Sequence, residues 1–246
     1  MVTKTESVVL RTVDYSESSL IVTLFTRKHG IIAVIAKGAK RPKSKFAALM
    51  VPGQVLEVVV YVKSTRSVQT LSEASPMLKL DQLRIDLEKM ALATTTLELV
   101  NQVLHDNEVN EPLFAFLVKF LRWINQYEKP SRIIFPYVQL RVMEHVGIGL
   151  QPDEPLEDET STGYMNIESG TLSSHADGDQ SIRLTPQQFV FLKKSLRSKK
   201  QSVFEIDVKK NELSDLIEYL DKYIRYHIEG VKPRKSDQIF EKILNN

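Results

Sequence analysis

A chain of 246 residues with 42% hydrophobic side chains can bury a real core, and its length suits two small domains better than one large one. It holds no cysteine, which excludes disulfides, thiolate zinc sites and a thiol nucleophile, and its 33 Lys and Arg nearly balance 31 Asp and Glu. No stretch approaches ~20 apolar residues, and Met1 to Glu6 is polar where a signal peptide wants a basic end and an apolar run, so the chain reads as soluble and cytoplasmic.

Between Glu6 and Glu73 short β-rich runs alternate with turn residues, and none keeps helical spacing for long. The runs are 7–13, 20–26, 31–36, 54–62 and 68–71, divided by Asp14 to Ser18, His29 and Gly30, a basic loop with Pro42, Pro52 and Gly53, and Lys63 to Arg66. Five such strands predict a small barrel, and the five-stranded OB-fold is a barrel that often binds oligonucleotides. Val8 to Leu10, Leu20 to Val22 and Ile31 to Ile35 are apolar on consecutive residues, so both faces of those strands need cover. One face fills the barrel, and the other is expected to meet the second domain.

After Ser75 and Pro76 the period changes. Leu80, Leu83, Leu87, Met90, Leu97, Val100 and Leu104 recur at helical steps and predict one long amphipathic helix, with a domain boundary near Ser75. Asn110, Glu111 and Pro112 open a second helix with Leu113, Leu117, Phe120, Leu121 and Ile124 inward. Ser131 is the expected cap of a third helix running to Gly147. Residues 148–182 carry Asp153, Glu154, Glu157, Asp158, Glu159, Glu168, Asp177 and Asp179 without one Lys or Arg, and read as an irregular acidic insert. Thr185 and Gln188 form a capping box for a helix through Phe189, Leu192 and Leu196; another runs from Asn211 to Gly230, and a last amphipathic turn spans Ile239 to Leu244. The predicted class is α+β: an OB-fold barrel over 1–75, then a mostly helical domain over 76–246 with the acidic insert at about 148–182.

The positive charge is placed rather than spread. Arg27, Lys28, Lys37, Lys40, Arg41, Lys43 and Lys45 occur with no acid among them, and setting these seven aside leaves 26 bases against 31 acids. Such a local field steers a phosphate backbone to one surface. Gly38 allows close backbone approach, and rings at Tyr15, Phe25, Phe46 and Tyr61 are available to stack on unpaired bases, Phe46 being favoured because it follows the basic loop directly. No motif for reading base edges is visible, so recognition should depend weakly on sequence. A second candidate interface gathers Lys119, Arg122, Trp123 and Arg132 around the turn at Lys129 to Ser131, where an aromatic beside arginines can anchor a partner peptide, or the ring can simply plug the helical core.

Catalysis has no motif to stand on. His29, His105, His145, His175 and His227 show no paired ligand spacing, and neither a phosphate-binding loop nor a dinucleotide fingerprint is present, so no catalytic residue, metal or cofactor is expected. Alternatives from other classes are an RNA-binding OB protein, a hydrolase holding a divalent ion on the acidic insert, and an adaptor that never touches nucleic acid.

Several stretches resemble the bacterial RecO family of recombination and repair proteins: Val9 to Arg11, Asp14 to Leu20, Val22 to Thr26, His29 and Gly30, and above all Ala36 to Ser44. Weaker likenesses at His145 to Gly149 with Pro152 and Leu156, and at Tyr226 to Gly230 ahead of Lys235 and Ser236, extend the resemblance over nearly the whole chain. It implies an N-terminal OB-fold and a C-terminal helical domain in a non-enzymatic mediator. Such a mediator binds single- and double-stranded DNA, anneals complementary strands, binds RecR, contacts the acidic tail of the single-stranded-DNA-binding protein and helps load RecA. It also implies a four-cysteine zinc module in many members where this chain has Leu156 to His175, and here those positions are acidic, hydroxyl or histidine residues, so a structural zinc is not expected.

Overall fold

The computed structural model describes residues 1–63, 65–153, 162–198 and 201–244. Two compact units emerge, the first Met1–Pro130 with Arg234–Ile243, the second Ser131–Pro233. The barrel thus shares its unit with the helices up to residue 130, beyond the change of period at Ser75.

Five strands open the first unit: β1 (Val2–Asp14), β2 (Leu20–Thr26), β3 (Gly30–Ala36), β4 (Val55–Tyr61) and β5 (Val68–Pro76). They close into a barrel of order β1-β2-β3-β5-β4, with β1 pairing both β2 and β4. A register shift between Val9 and Arg11 marks a bulge that lets this 13-residue strand bend around the closure. Val22, Leu24, Ile32, Val34, Leu56, Val58 and Val60 alternate inward and fill the interior. The consecutive apolar runs have the anticipated second face. Phe25, fully buried on the outside of β2, meets Phe114 edge-on at 5.5 Å, a contact inside this same unit. Gly30 adopts φ 63°, and a Cβ there would collide with the backbone of Glu108, so only glycine fits.

The expected long helix is two: α1 (Gln82–Ile85) and α2 (Leu87–Val103). Asp86 divides them, because its extended backbone leaves the helix while its carboxylate accepts the amides of Glu88 (3.0 Å) and Lys89 (3.1 Å), capping α2. In α3 (Glu111–Gln126) Asn110 caps the amide of Leu113 at 2.9 Å, and the predicted stripe from Leu113 to Ile124 is buried. The buried Lys89 donates to the Asn125 carbonyl at 3.1 Å, tying α2 to the end of α3.

The chain returns to this unit through α7 (Asp237–Leu244), the last element among the described residues. Glu98 on α2 accepts the amides of Lys235 (2.8 Å) and Ser236 (2.9 Å) and the Ser236 hydroxyl (2.7 Å), just ahead of that helix. Burial pushes the Glu98 carboxyl up, but the Ser236 hydroxyl, the two amides and the Arg234 guanidinium outweigh it and hold the group below its ordinary 4.5. A carboxylate with a lowered folded pKa stabilises above its unfolded value, and that contribution vanishes as pH falls through the folded value. Glu98→Gln is therefore expected to cost about 1 kcal/mol at neutral pH, as loss of a helix cap does. It should also lose stability less steeply than the parent as pH drops below 4.5, which urea unfolding at several pH values measures.

The second unit is built on α4 (Ile134–His145), α5 (Pro186–Arg197) and α6 (Lys210–His227), with a short 3₁₀ turn at Gln201–Glu205. Ser131 does not cap α4: its carbonyl accepts the Ile134 amide at 3.2 Å in a tight turn, and the helix begins only after Ile133 without a side-chain cap. The capping box of Thr185 and Gln188 is present as expected. Buried Arg141 pairs with Glu144 at 2.6 Å and donates to the Ser195 carbonyl.

Residues 148–182 are not irregular throughout. Four short strands, β6 (Gln151–Pro152), β7 (Gly163–Asn166), β8 (Thr171–Ser173) and β9 (Ser181–Leu184), form a sheet of order β6-β8-β7-β9; Glu154, Leu156, Glu157, Asp158 and Glu159 lie outside the described residues. The zinc module implied by the resemblance does not fit here, since the chain has no cysteine. The fully buried Asn166 ties the sheet instead. Its amide nitrogen donates to Ser173 Oγ (2.9 Å) and Thr171 Oγ1 (3.1 Å), while its oxygen accepts from Ser181 Oγ (2.6 Å) and the Asp177 amide (3.0 Å). Strands this short carry few ladder bonds, so this one side chain does much of the cross-linking. Asn166→Ala is expected to cost about 2–3 kcal/mol by orphaning buried partners, with hydrogen exchange accelerating first over 171–184.

Candidate nucleic-acid interface

The segment from Lys37 to Gln54, between β3 and β4, is a chain of tight turns, with amide-to-carbonyl bonds from Arg41 to Gly38 (3.1 Å), Ser44 to Arg41 (3.1 Å) and Ala47 to Ser44 (3.3 Å). Three apolar anchors, Ala39, Phe46 and Met50, enter the barrel core and close its end. Lys37, just before the first anchor, and Lys40, Arg41, Lys43 and Lys45, between the first and the second, stand exposed. Alternating anchor and cation makes the barrel's plug and its charged surface from one segment. Arg84 Nη2 holds the far part of the segment by donating to the Ala48 carbonyl at 3.1 Å, and the Lys40 amide donates to Ser18 O at 3.0 Å, tying it to the β1–β2 turn.

The seven cations do not form one rim. Arg27 and Lys28 sit on the β2–β3 hairpin, at the other end of seven-residue β3 from Lys37, roughly 20 Å away at about 3.3 Å per residue. Arg27 is also committed internally, to Glu6 at 2.9 Å and Glu111 at 3.2 Å and over the Phe114 ring. Lys40 pairs with Asp14 at 2.9 Å, but that carboxylate is well exposed, and a pair so wetted yields readily to a phosphate. The cluster is thus Lys37, Lys40, Arg41, Lys43 and Lys45, offset by Asp14 and Glu17 of the neighbouring turn.

Phe46 is not a stacking platform. It is buried among the core residues because the plug needs its volume, and Lys45 Nζ covers its ring at 5.3 Å. The ring presented to solvent beside the cluster is Tyr15, 61% exposed on the β1–β2 turn. Exposure therefore runs opposite to the expectation that favoured Phe46, and the turn residues around Tyr15 are the sequence signal for its exposure. The register also aligns Arg11 with Thr23 and Ala33, and Val13 with Ile21 and Ile35, on the outer face of β1–β3. Arg11 is exposed there and the others are half-buried, so a partly apolar face runs from the cluster across the sheet.

The second candidate set separates. Lys119 and Arg122 are exposed on α3 beside the half-buried Trp123, whose ring lies 6.1 Å from Phe120 and 4.5 Å from Tyr127. Arg132 belongs to the second unit, is 5% exposed and donates to Ser214 Oγ at 2.9 Å, so it holds its own unit together rather than offering a surface cation.

Among the described residues no group of three or more His, Cys, Asp or Glu that could hold a metal ion comes together. His29 contacts Thr3 Oγ1 (3.1 Å), His227 contacts the Ile167 carbonyl (2.7 Å), and His175 lies 3.6 Å from Asp153. Among the same residues no helix is long and apolar enough to cross a membrane.

A closed five-stranded barrel of this strand order defines the class of OB-fold proteins. Residues 1–78 match the family described as Recombination protein O N terminal, and residues 84–237 match Recombination protein O C terminal. The chain is 36% identical to the DNA repair protein RecO of Salinibacter ruber over 187 residues, 76% of this chain and 70% of that one. It is 27% identical to that of Chloroherpeton thalassium over 99% of this chain and 100% of the other, and 26% identical to that of Chlorobium limicola over the full length of both. The chain belongs to the RecO family of DNA repair and recombination proteins.

Proposed function

We propose that the protein is a non-enzymatic recombination mediator of the bacterial cytoplasm. It binds single- and double-stranded DNA through Lys37, Lys40, Arg41, Lys43 and Lys45, anneals complementary strands and, with RecR, helps load RecA onto DNA coated by the single-stranded-DNA-binding protein. The supporting observation is the anchored turn chain that holds five cations in solvent beside the exposed ring of Tyr15. Two strands repel through their phosphates, and a surface that neutralises both lets pairing begin; base stacking and hydrogen bonding complete it.

The test is the annealing rate of two complementary oligonucleotides coated with the single-stranded-DNA-binding protein. Acceleration supports the reading, and a rate equal to that without protein removes it. Competition with matched RNA strands separates DNA from RNA binding. On α3, Lys119, Arg122 and Trp123 remain the proposed contacts for the acidic tail of the single-stranded-DNA-binding protein. Arg122→Glu is the informative variant there, since replacing buried Arg132 disturbs packing as well.

A further inference from the structure

The barrel has a second charged pole. At the end opposite the Lys37–Lys45 cluster, Val2 pairs with Tyr61 and Lys4 with Val59, side chains outward on β1 and β4. Tyr61 is 49% exposed and Val2 57%, a small flat platform. Lys28 reaches back from the hairpin to donate to the Lys4 carbonyl at 3.1 Å, which sets its ammonium near that edge. Lys63 and Arg66 follow Tyr61 on the β4–β5 connection, both exposed. Val68 pairs in parallel with Ala33, so this connection runs alongside the Gly30 end of β3, the same end as the hairpin. Gln69 fixes the connection by donating to the carbonyls of Arg66 (2.7 Å) and Lys63 (3.2 Å) and accepting the Lys63 amide (2.8 Å). Lys4 is neutralised by Glu57 at 2.7 Å, whereas no ion pair is found for Lys28, Lys63 or Arg66 among the described residues.

Resting on the annealing reading above, we infer that Tyr61, Lys63, Arg66 and Lys28 form a second single-strand site, which holds the complementary strand while the first occupies the Lys37–Lys45 pole. Each pole combines one exposed tyrosine with a group of cations, the pairing of stacking face and phosphate partners that single strands use. The separation matters as well. Strands roughly 20 Å apart along β3 lie beyond the ~8 Å screening length of physiological salt, so one protein holds both without paying their mutual repulsion.

Native mass spectrometry of the full chain with a short homopolymeric deoxythymidine oligonucleotide, together with annealing kinetics, tests this. The parent should take up two oligonucleotides per chain; Lys63→Glu with Arg66→Glu should take up one, keep the tighter phase unchanged and anneal about 10-fold more slowly. Lys63→Gln with Arg66→Gln, with a milder charge change, should fall between. Two oligonucleotides still bound by the glutamate variant, or parental annealing by it, overturns the second site. If the parent binds one short oligonucleotide and the variant weakens only longer strands, this pole extends the path of a single strand and the inference falls while DNA binding stands. No binding at all by the parent removes the underlying reading instead.

Discussion

Arg41→Glu combined with Lys43→Glu is expected to weaken single-strand binding by roughly 30- to 100-fold at low salt and to abolish most annealing, with the fold intact. Both side chains stand in solvent, and neither takes part in an ion pair among the described residues. With five phosphate contacts the logarithm of affinity should fall with that of salt at a slope of about −3.5, at ~0.7 per contact on a single strand. Removing two contacts should reduce it to about −2, and the repulsion of two new carboxylates adds to the loss at low salt. Fluorescence anisotropy across a salt series reads both quantities. A parental slope in the double variant would move the interface elsewhere on the chain. Lys40 is the less clean probe, because its replacement also frees Asp14 from a 2.9 Å pair.

Phe46→Ala and Tyr15→Ala should have opposite consequences. Phe46 is buried in the plug with Ala39 and Met50, so its truncation is expected to cost about 3–5 kcal/mol of stability through lost burial and an unfilled cavity. Tyr15 is mostly exposed, so its loss should leave stability within about 0.5 kcal/mol of the parent while weakening single-strand binding by about 1–3 kcal/mol if a base stacks on it. Denaturant unfolding paired with binding at fixed salt separates the two. Parental stability in Phe46→Ala would contradict the plug, and unchanged affinity in Tyr15→Ala would leave the cluster to act through charge alone.

Much of the architecture was legible because it rests on local chemistry. The strands from Leu20 to Thr26 and from Gly30 to Ala36, the cap at Asn110 and the capping box at Thr185 are set by side-chain alternation and by groups a few residues apart. Sequence and structure part where a local signal admits two outcomes. Leu83, Leu87 and Met90 keep helical spacing across Asp86, but an aspartate can end one helix by capping the next, and apolar period does not register that. The acidic segment around Asn166 reads as irregular because its strands are only two to four residues long and are tied by one buried amide meeting hydroxyls and amides up to fifteen residues away, a pattern without a period.

By itself the sequence determined that seven cations with no acid among them are concentrated between Arg27 and Lys45, that no thiol can hold a metal, and that a β-rich segment precedes a helical one. Only the tertiary structure decided how that charge is divided. Barrel closure sends Arg27 and Lys28 to one pole and Lys37 to Lys45 to the other, turns Phe46 inward and leaves Tyr15 in solvent, and buries Arg132 within its own unit. The physical reason is that charge belongs to each residue wherever the chain goes, whereas exposure depends on which segments the fold brings against it.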